Sequence, residues 1–206
     1  MRRGLPIAVV LAAPIVCLWP AVTGRLLLAS YDGLWMFLPL RVVVRDQLVA
    51  GELPLWNAWI FSGFPLLGAM VAGVVNPLNA LFLLLPPEIA ANATVLASLA
   101  VAGLATYGYA RHIGCSRVAA CFSGVTFVLS GPLVARLGNT PVLQGTVWLP
   151  LMALAVERVR QQPSARAVAL GAVAVALALL VGHPQMPAYA LATVAVYAAA
   201  RGLTVA

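Results

Sequence analysis

Long apolar runs separated by short polar turns dominate the pattern along this chain. The runs lack the strict alternation of a half-buried strand, so they predict helices. Each is close to the length that a helix needs to cross the hydrocarbon core of a bilayer. We expect about six membrane-spanning helices, near residues 5–23, 89–110, 118–135, 141–156, 167–182 and 186–200.

The segment 24–88, between the first and second runs, has a different pattern. Its apolar positions are interrupted by charged residues, glycines and prolines, and we expect it to form a long first outer loop. It holds four of the five acidic residues of the chain: Asp32, Asp46, Glu52 and Glu88.

The first part of this loop, residues 31–52, predicts a helix that lies at the membrane surface. Pro39 suits a first helical turn, where its missing N–H costs nothing, and Gly51 can end the helix. Arg41 and Arg45 are four residues apart, so they share one face of the helix.

The last part of the loop, residues 63–88, is apolar enough to cross the membrane but is broken by Gly68, Gly73, Asn76 and Pro77. If it did cross, every later basic turn would move to the outer side, against the positive-inside rule. We therefore expect a re-entrant or interfacial pair of short helices here.

The composition places the chain in the membrane. Of its 206 residues, 63% are hydrophobic and 8% are charged, whereas soluble domains carry about 25% charged residues. In hydrocarbon every backbone polar group must be paired within the protein, and long unbroken runs achieve this as helices. The sequence therefore predicts an all-α integral membrane protein.

The net charge of +7 is explained by topology rather than by nucleic-acid binding. The basic residues cluster in the turns 111–117 and 157–166 and after the last run. With six spans these clusters fall on the same side as Arg2 and Arg3, which the positive-inside rule places in the cytoplasm. We expect a multi-pass plasma-membrane protein with a cytoplasmic N-terminus, its first long loop outside and no nucleic-acid partner.

The two ends of the chain leave alternatives open. Residues 1–24 could be a secretory signal peptide, but the run is of span length and its cleavage site is weak, which favours an uncleaved first span. The chain ends directly after an apolar run. We expect residues 1–206 to form a single transmembrane domain, the N-terminal portion of a longer protein.

Asp32 is the first acid after the first span and the leading catalytic candidate. A carboxylate at a membrane surface can take a proton from a hydroxyl nucleophile, or can hold a divalent cation near a phosphate. The structural alternative is that Asp32 caps the following turn. Asp46 and Glu52 fit a solvated helix face better than a ligand role.

Arg41 and Arg45 are candidates for phosphate binding, because guanidinium groups match the geometry of phosphate. His183 and Gln185 stand in a tight turn between the last two spans. His183 can act as acid, base or ligand, and the alternative is a polar turn at the headgroup level. Asn76 is a further candidate for substrate binding on the same outer face.

Trp56, Trp59 and Asn57 form an aromatic and amide group in the outer loop. Tryptophans commonly anchor a protein at the membrane interface. An aromatic platform for the face of a sugar is the alternative, and in that case Trp56 and Asn57 bind substrate. Neither the cysteines nor the histidines have the spacing of a metal site, and none is predicted.

The order of these features resembles the N-terminal part of the YfhO-like bacterial membrane proteins, which belong to the C-type glycosyltransferase superfamily. The resemblance covers nearly the whole chain. The segments that carry it are "LPLR", "GELPLWNAWIFSGFPLLG", "NPLNALFLLLP", "YARHIG", "WLPLMALAVERV" and "GHPQMPAY".

This resemblance implies a membrane enzyme with its active site on the outer face. Such enzymes take a sugar from a polyprenyl-phosphate carrier and pass it to an acceptor outside the membrane. Their first outer loop supplies an acidic catalytic residue, which corresponds here to Asp32. The alternative functions are a non-catalytic scaffold or a flippase component. A solute carrier is disfavoured, because such proteins usually place ionisable groups within the spans.

Overall fold

The computed structural model describes residues 4–203, so the basic pair Arg2 and Arg3 lies outside the described residues. The described chain is mostly helical. Its helices are α1 (Leu5–Cys17), α2 (Trp19–Val22), α3 (Leu38–Val49), α4 (Leu81–Leu84), α5 (Pro87–His112), α6 (Arg117–Val128), α7 (Gly131–Val134), α8 (Thr140–Thr146), α9 (Leu149–Gln161), α10 (Ala165–Leu179) and α11 (Gln185–Leu203).

Three helical stretches among residues 4–203 are long and apolar enough to cross a membrane: Pro87–His112, Arg117–Val134 and Thr140–Gln161. They correspond to the second, third and fourth predicted spans, so the prediction of a helical chain with apolar helices of spanning length is confirmed. Leu5–Cys17 and Ala165–Leu179 are shorter apolar helices. The count of six spans stays a prediction.

The first predicted span, 5–23, is divided rather than continuous. Helix α1 ends at Cys17, and Leu18 leaves the helical region at φ −105° and ψ 26° before α2 begins. Pro20 explains the break, because proline has no N–H to donate to the carbonyl four residues back and its ring clashes with that carbonyl.

Helix α5 forms the centre of the bundle and packs against α1, α6 and α9. At the crossing with α1, a β-carbon on Gly103 would lie 2.7 Å from Cγ1 of Val10, and one on Gly124 of α6 would lie 3.0 Å from the Gly103 carbonyl oxygen. These glycines let three backbones approach closely. The main core includes Val95, Leu99, Leu143 and Met152, among other residues.

A helix is present within the predicted surface segment 31–52, and one of its faces is buried; its position at a membrane surface stays a prediction. A π-helical segment, Gly33–Phe37, runs directly into α3, and the Leu38 N–H donates to the Gly33 carbonyl five residues back. This wide turn lies just before Pro39, whose ring would clash with the preceding turn of a regular α-helix. Leu40 and Val44 pack against Leu66 and Ala72, so α3 is tied to the loop that follows it.

Residues 50–86 form a compact segment between α3 and α5, for which we keep the name outer loop from the prediction. Gly51, at φ +79°, follows the end of α3 as predicted from its sequence. A small antiparallel hairpin pairs β1 (Trp56–Asn57) with β2 (Phe64–Pro65). The predicted pair of short helices in 63–88 is represented by a 3₁₀ turn, Pro77–Ala80, directly followed by the single turn of α4. Whether this segment re-enters the membrane stays a prediction.

The bundle has two chemically different ends. At the first, which we call the cavity end, Thr94 near the start of α5 donates to the Leu78 carbonyl, and Gly145 of α8 is in close contact with Met186 at the start of α11.

At the opposite end, the Tyr197 hydroxyl links Tyr109 of α5 to Glu157 of α9, and Arg201 of α11 donates directly to Glu157. We call this the arginine end, since six arginines lie at the helix ends or in the turns there: Arg111, Arg117, Arg158, Arg160, Arg166 and Arg201.

Candidate anion-binding site

A cavity of about 150 Å³ lies at the cavity end, between α3 and the residues 72–83 of the outer loop. Arg41 and Arg45 line it from α3, one helical turn apart, and Asn76 and Asn79 line it from the loop. Most of the remaining lining is apolar. The cavity therefore combines two guanidinium groups and two amides in a largely dry setting.

The guanidinium group of Arg41 is held at the base of this cavity by the bundle itself. Arg41 is only 4% exposed. Its Nη1 donates to Thr140 Oγ1 at 2.7 Å and its Nη2 donates more weakly to Gln144 Oε1 at 3.4 Å, both on α8. Its centre lies 5.6 Å from the ring of Phe82, which adds a cation–π contact. Arg41 Nε is buried and has no hydrogen-bond partner among the described residues.

Gln144 connects the arginine to the loop. Its Oε1 also accepts from Asn76 Nδ2 at 2.8 Å, and its Nε2 donates to Asn79 Oδ1 at 3.2 Å. Asn79 Nδ2 in turn donates to the Gly73 carbonyl at 2.9 Å. This chain of bonds fixes the loop wall of the cavity against helix α8.

The charge of Arg41 is not balanced within the described chain. No acidic side chain of residues 4–203 forms an ion pair with it. Asp46 lies 3.6 Å from Arg45 at a solvent-exposed position, and Glu157 pairs with arginines at the other end of the bundle. Burial lowers the pKa of Arg41 to about 10, which still leaves it protonated at neutral pH.

A buried positive charge with a spare donor favours an anion as its partner. Burial of an uncompensated charge is costly, and an anion that accepts hydrogen bonds from the guanidinium removes that cost. Guanidinium groups bind phosphate and carboxylate through paired, charge-assisted hydrogen bonds. Arg45, partly exposed on the same wall, adds a second positive charge.

The structure brings together three of the predicted site residues, namely Arg41, Arg45 and Asn76. Asp32 does not line this cavity. Its side chain is exposed, makes no cap hydrogen bond at the start of the π-helical segment, and has no ion pair among residues 4–203. The predicted capping role is therefore not observed.

Trp56 and Asn57 lie in the hairpin and have local structural contacts. The Trp56 ring covers Gly63, where a β-carbon would overlap it, and its carbonyl accepts from Gln47 Nε2 at 2.7 Å. Asn57 is buried, and its Oδ1 accepts from the Trp59 N–H at 2.9 Å, which shapes the turn. Neither residue lines the cavity.

His183 and Gln185 lie beside the cavity wall rather than in it. The turn that carries His183 packs on residues 70–73, because Gly182, at φ +82°, is pressed against the Met70 carbonyl. His183 Nδ1 is buried without a hydrogen-bond partner among the described residues. Gln185 is exposed and its Nε2 donates to the Tyr189 hydroxyl at 2.7 Å.

The sequence analysis did not select Thr140, Gln144 and Asn79, which complete the site. Gln144 carried a usable signal, since it is the one amide side chain within the apolar run 141–156. Polar side chains inside apolar helices face the protein interior and are commonly functional. Thr140 carried no such signal, and Asn79 stood out only as one of the polar residues that interrupt the apolar segment 63–88.

The described residues include no group of three or more histidine, cysteine, aspartate and glutamate side chains that could hold a metal ion. A divalent cation held by Asp32 remains one of the alternatives that the sequence leaves open. Comparison with protein-family models, curated proteins and solved structures gives no match to this chain.

Proposed function

We propose that this chain is the whole or part of a membrane glycosyltransferase that takes a sugar from a polyprenyl-phosphate carrier and passes it to a cell-envelope acceptor. The observation that supports the proposal most strongly is the buried, protonated Arg41, which has no acidic partner among residues 4–203 and lies in a cavity that Arg45 also lines. Its ligand is the phosphate of the carrier.

The size of the cavity suits a phosphate group rather than a whole lipid-linked sugar. An engineered apolar cavity of about 150 Å³ accepts one benzene molecule, and the cavity beside Arg41 has about the same volume. The phosphate would occupy it, while the sugar and the polyprenyl chain extend outside.

The position of the site in the bundle supports an outer-face reaction. The stretch Thr140–Gln161 is long enough to cross a membrane, and it carries Thr140 and Gln144 at its start and Glu157 near its end. The cavity and the arginine end would then face opposite sides of the membrane. The positive-inside rule places the arginine end in the cytoplasm, and the cavity outside.

In the proposed reaction, the acceptor hydroxyl attacks the anomeric carbon of the sugar and its proton passes to Asp32. A bond forms between the acceptor oxygen and that carbon. The bond from the carbon to the phosphate oxygen breaks, and its electrons leave with the phosphate. The charge that develops on the phosphate is stabilised by Arg41 and Arg45, which are already in place. The role of Asp32 comes from the resemblance.

A binding experiment tests the phosphate site. The protein in lipid nanodiscs is titrated with farnesyl phosphate and, separately, with farnesol, which has the same chain but no phosphate. Arg41→Gln should weaken farnesyl phosphate binding by at least about tenfold, the loss expected of one charge-assisted interaction. Arg136→Gln is the matched control, since Arg136 is exposed and does not line the cavity.

Equal binding of farnesyl phosphate and farnesol by the unaltered protein would contradict the proposal. So would an Arg41→Gln protein that folds and binds farnesyl phosphate as the unaltered protein does.

A further inference from the structure

A second, larger groove of about 500 Å³ opens between α9, α10 and α11 in the half of the bundle next to the arginine end. Each helix contributes one stripe of side chains at intervals of three and four residues, as one face of a helix does. The walls are aliphatic, with Val156, Val168 and Val194 among them, and small residues line the rest. Arg160 is the single charged residue of the lining.

The groove runs along the bundle from the arginine end towards the middle. Arg160, Ala167 and Gly202 line it at the arginine end, and Met152 and Val194 line it further in. Met152 and Arg160 are eight positions apart on α9, which corresponds to about 12 Å of helix. This shape is long, narrow and apolar with a charged group at one end.

The charged end of the groove is positive. Arg160 uses its Nε and Nη2 to bind Glu157 Oε2, at 3.1 and 2.8 Å, and Nη1 has no hydrogen-bond partner among the described residues. Arg158 and Arg166 stand exposed near the same end. Glu157, the acid of this cluster, is fully buried and engaged by Arg160 and Arg201, so it offers no negative surface.

We propose that this groove binds an anionic phospholipid of the inner leaflet, with one acyl chain along the aliphatic walls and the phosphate at Arg160. Charge complementarity supports this occupant, because basic clusters at the cytoplasmic ends of membrane helices attract anionic lipids. The inference rests on the membrane placement proposed above and does not depend on sugar transfer.

A second copy of the chain fits the groove less well than a lipid. Two copies in one membrane share the same orientation, so a helix of the second copy would bring its own arginine end against this one. Like charges placed side by side repel each other. An anionic lipid instead neutralises the cluster.

The proposal is tested by counting the lipids that the purified protein retains. The protein is purified from nanodiscs that contain phosphatidylcholine with a minority of phosphatidylglycerol of identical acyl chains, and native mass spectrometry counts the lipids that stay bound. We expect the unaltered protein to retain phosphatidylglycerol in preference to phosphatidylcholine. Ala172→Phe, which fills the groove from an exposed position, should lower this retention several-fold.

The matched control is Val173→Phe, because Val173 is the next residue of α10, is exposed and does not line the groove. Arg160→Gln should remove the preference for phosphatidylglycerol without changing the retention of phosphatidylcholine. If Arg160→Gln does not fold, Ala172→Phe and its control carry the test.

Three results would overturn the inference. They are equal retention of the two lipids by the unaltered protein, equal effects of Ala172→Phe and Val173→Phe, and a dimer that Ala172→Phe converts to a monomer. Farnesyl phosphate binding at the other end of the bundle should be the same in both α10 variants, so a failure here is distinguishable from a failure of the proposed function.

Discussion

Arg41 Nη1 and Thr140 Oγ1 lie 2.7 Å apart, although 99 positions separate the two residues in the chain. This bond joins α3 to the start of a helical stretch of membrane-spanning length. With Gln144 it holds a buried guanidinium at the base of a cavity that has no acidic side chain of the described residues against it. The proposed phosphate site depends on this arrangement.

Gln144→Leu should destabilise the protein, because it removes the acceptor shared by Arg41 and Asn76 and leaves buried polar groups unpaired. An unpaired buried group costs about 1–3 kcal/mol. Thermal unfolding in nanodiscs measures the loss. A stability equal to that of the unaltered protein would show that the bonds of Gln144 contribute little.

Gln144→Glu should weaken farnesyl phosphate binding more than it weakens folding. The new carboxylate supplies Arg41 with a counter-ion inside the protein, so folding should be retained better than in Gln144→Leu, while farnesyl phosphate binding falls by at least about tenfold. Titration of both variants measures this. Binding that survives in Gln144→Glu would mean that the phosphate does not contact Arg41.

Raising the pH should change stability and anion affinity in opposite directions. Burial lowers the pKa of Arg41 from its ordinary value to about 10, so the folded state loses this proton before the unfolded state does. Between these two values the unfolded state binds more protons, and the contribution of Arg41 to stability rises with pH.

The affinity for farnesyl phosphate should stay constant from neutral pH up to about 10. It should fall above that pH, because deprotonated Arg41 carries no charge. Farnesol binding serves as the control for general loss of structure. Affinity that stays constant as the pH passes about 10 would show that the charge of Arg41 does not hold the phosphate.

Gly138→Ala should disturb the contact between the cavity end and the segment that carries Asp32. A β-carbon at Gly138 would overlap the backbone of Ser30, and one at Gly33 would overlap the Gly138 carbonyl. Overpacking of this kind costs about 1–3 kcal/mol. Gly131→Ala is the control, since nothing lies within 4 Å of a β-carbon there, and equal unfolding temperatures for the two variants would contradict the prediction.

Trp56 and Trp59 should respond differently to replacement by alanine. The Trp56 ring lies over Gly63, so Trp56→Ala should loosen the hairpin, which limited proteolysis of residues 55–66 would detect. Trp59 is 85% exposed, and Trp59→Ala should leave the hairpin intact. If the protease cleaves residues 55–66 equally slowly in the two variants, the Trp56 ring does not support the turn.

The sequence predicted the helices well because apolar runs of this length have few alternatives in a membrane. It also indicated that Arg41 and Arg45 share a face, since spacing within one helix is local information. The bounds of two helical elements differ from the prediction. Pro20 divides the first predicted span, and a π-helical turn precedes Pro39 in the predicted surface helix.

The assembly of the site could not be predicted in the same way. The contacts of Arg41 with Thr140 and Gln144 join distant parts of the chain, and no local pattern specifies which apolar helix α3 will meet. Asn57 was selected from the sequence as a substrate-binding candidate, but its contacts are local. It stood out as a polar residue in an aromatic segment, and the structure shows that its side chain shapes a turn.

Sugar transfer is the most direct test of the proposed function. Membrane vesicles that contain the whole protein are supplied with polyprenyl-phosphate-linked hexoses, and the release of polyprenyl phosphate and the labelling of envelope acceptors are followed. We predict that Asp32→Asn abolishes transfer but keeps farnesyl phosphate binding, whereas Arg41→Gln loses both. Unchanged transfer in Asp32→Asn at normal expression would contradict the assignment of Asp32, and unchanged transfer in Arg41→Gln would contradict the phosphate site on which the proposed function depends.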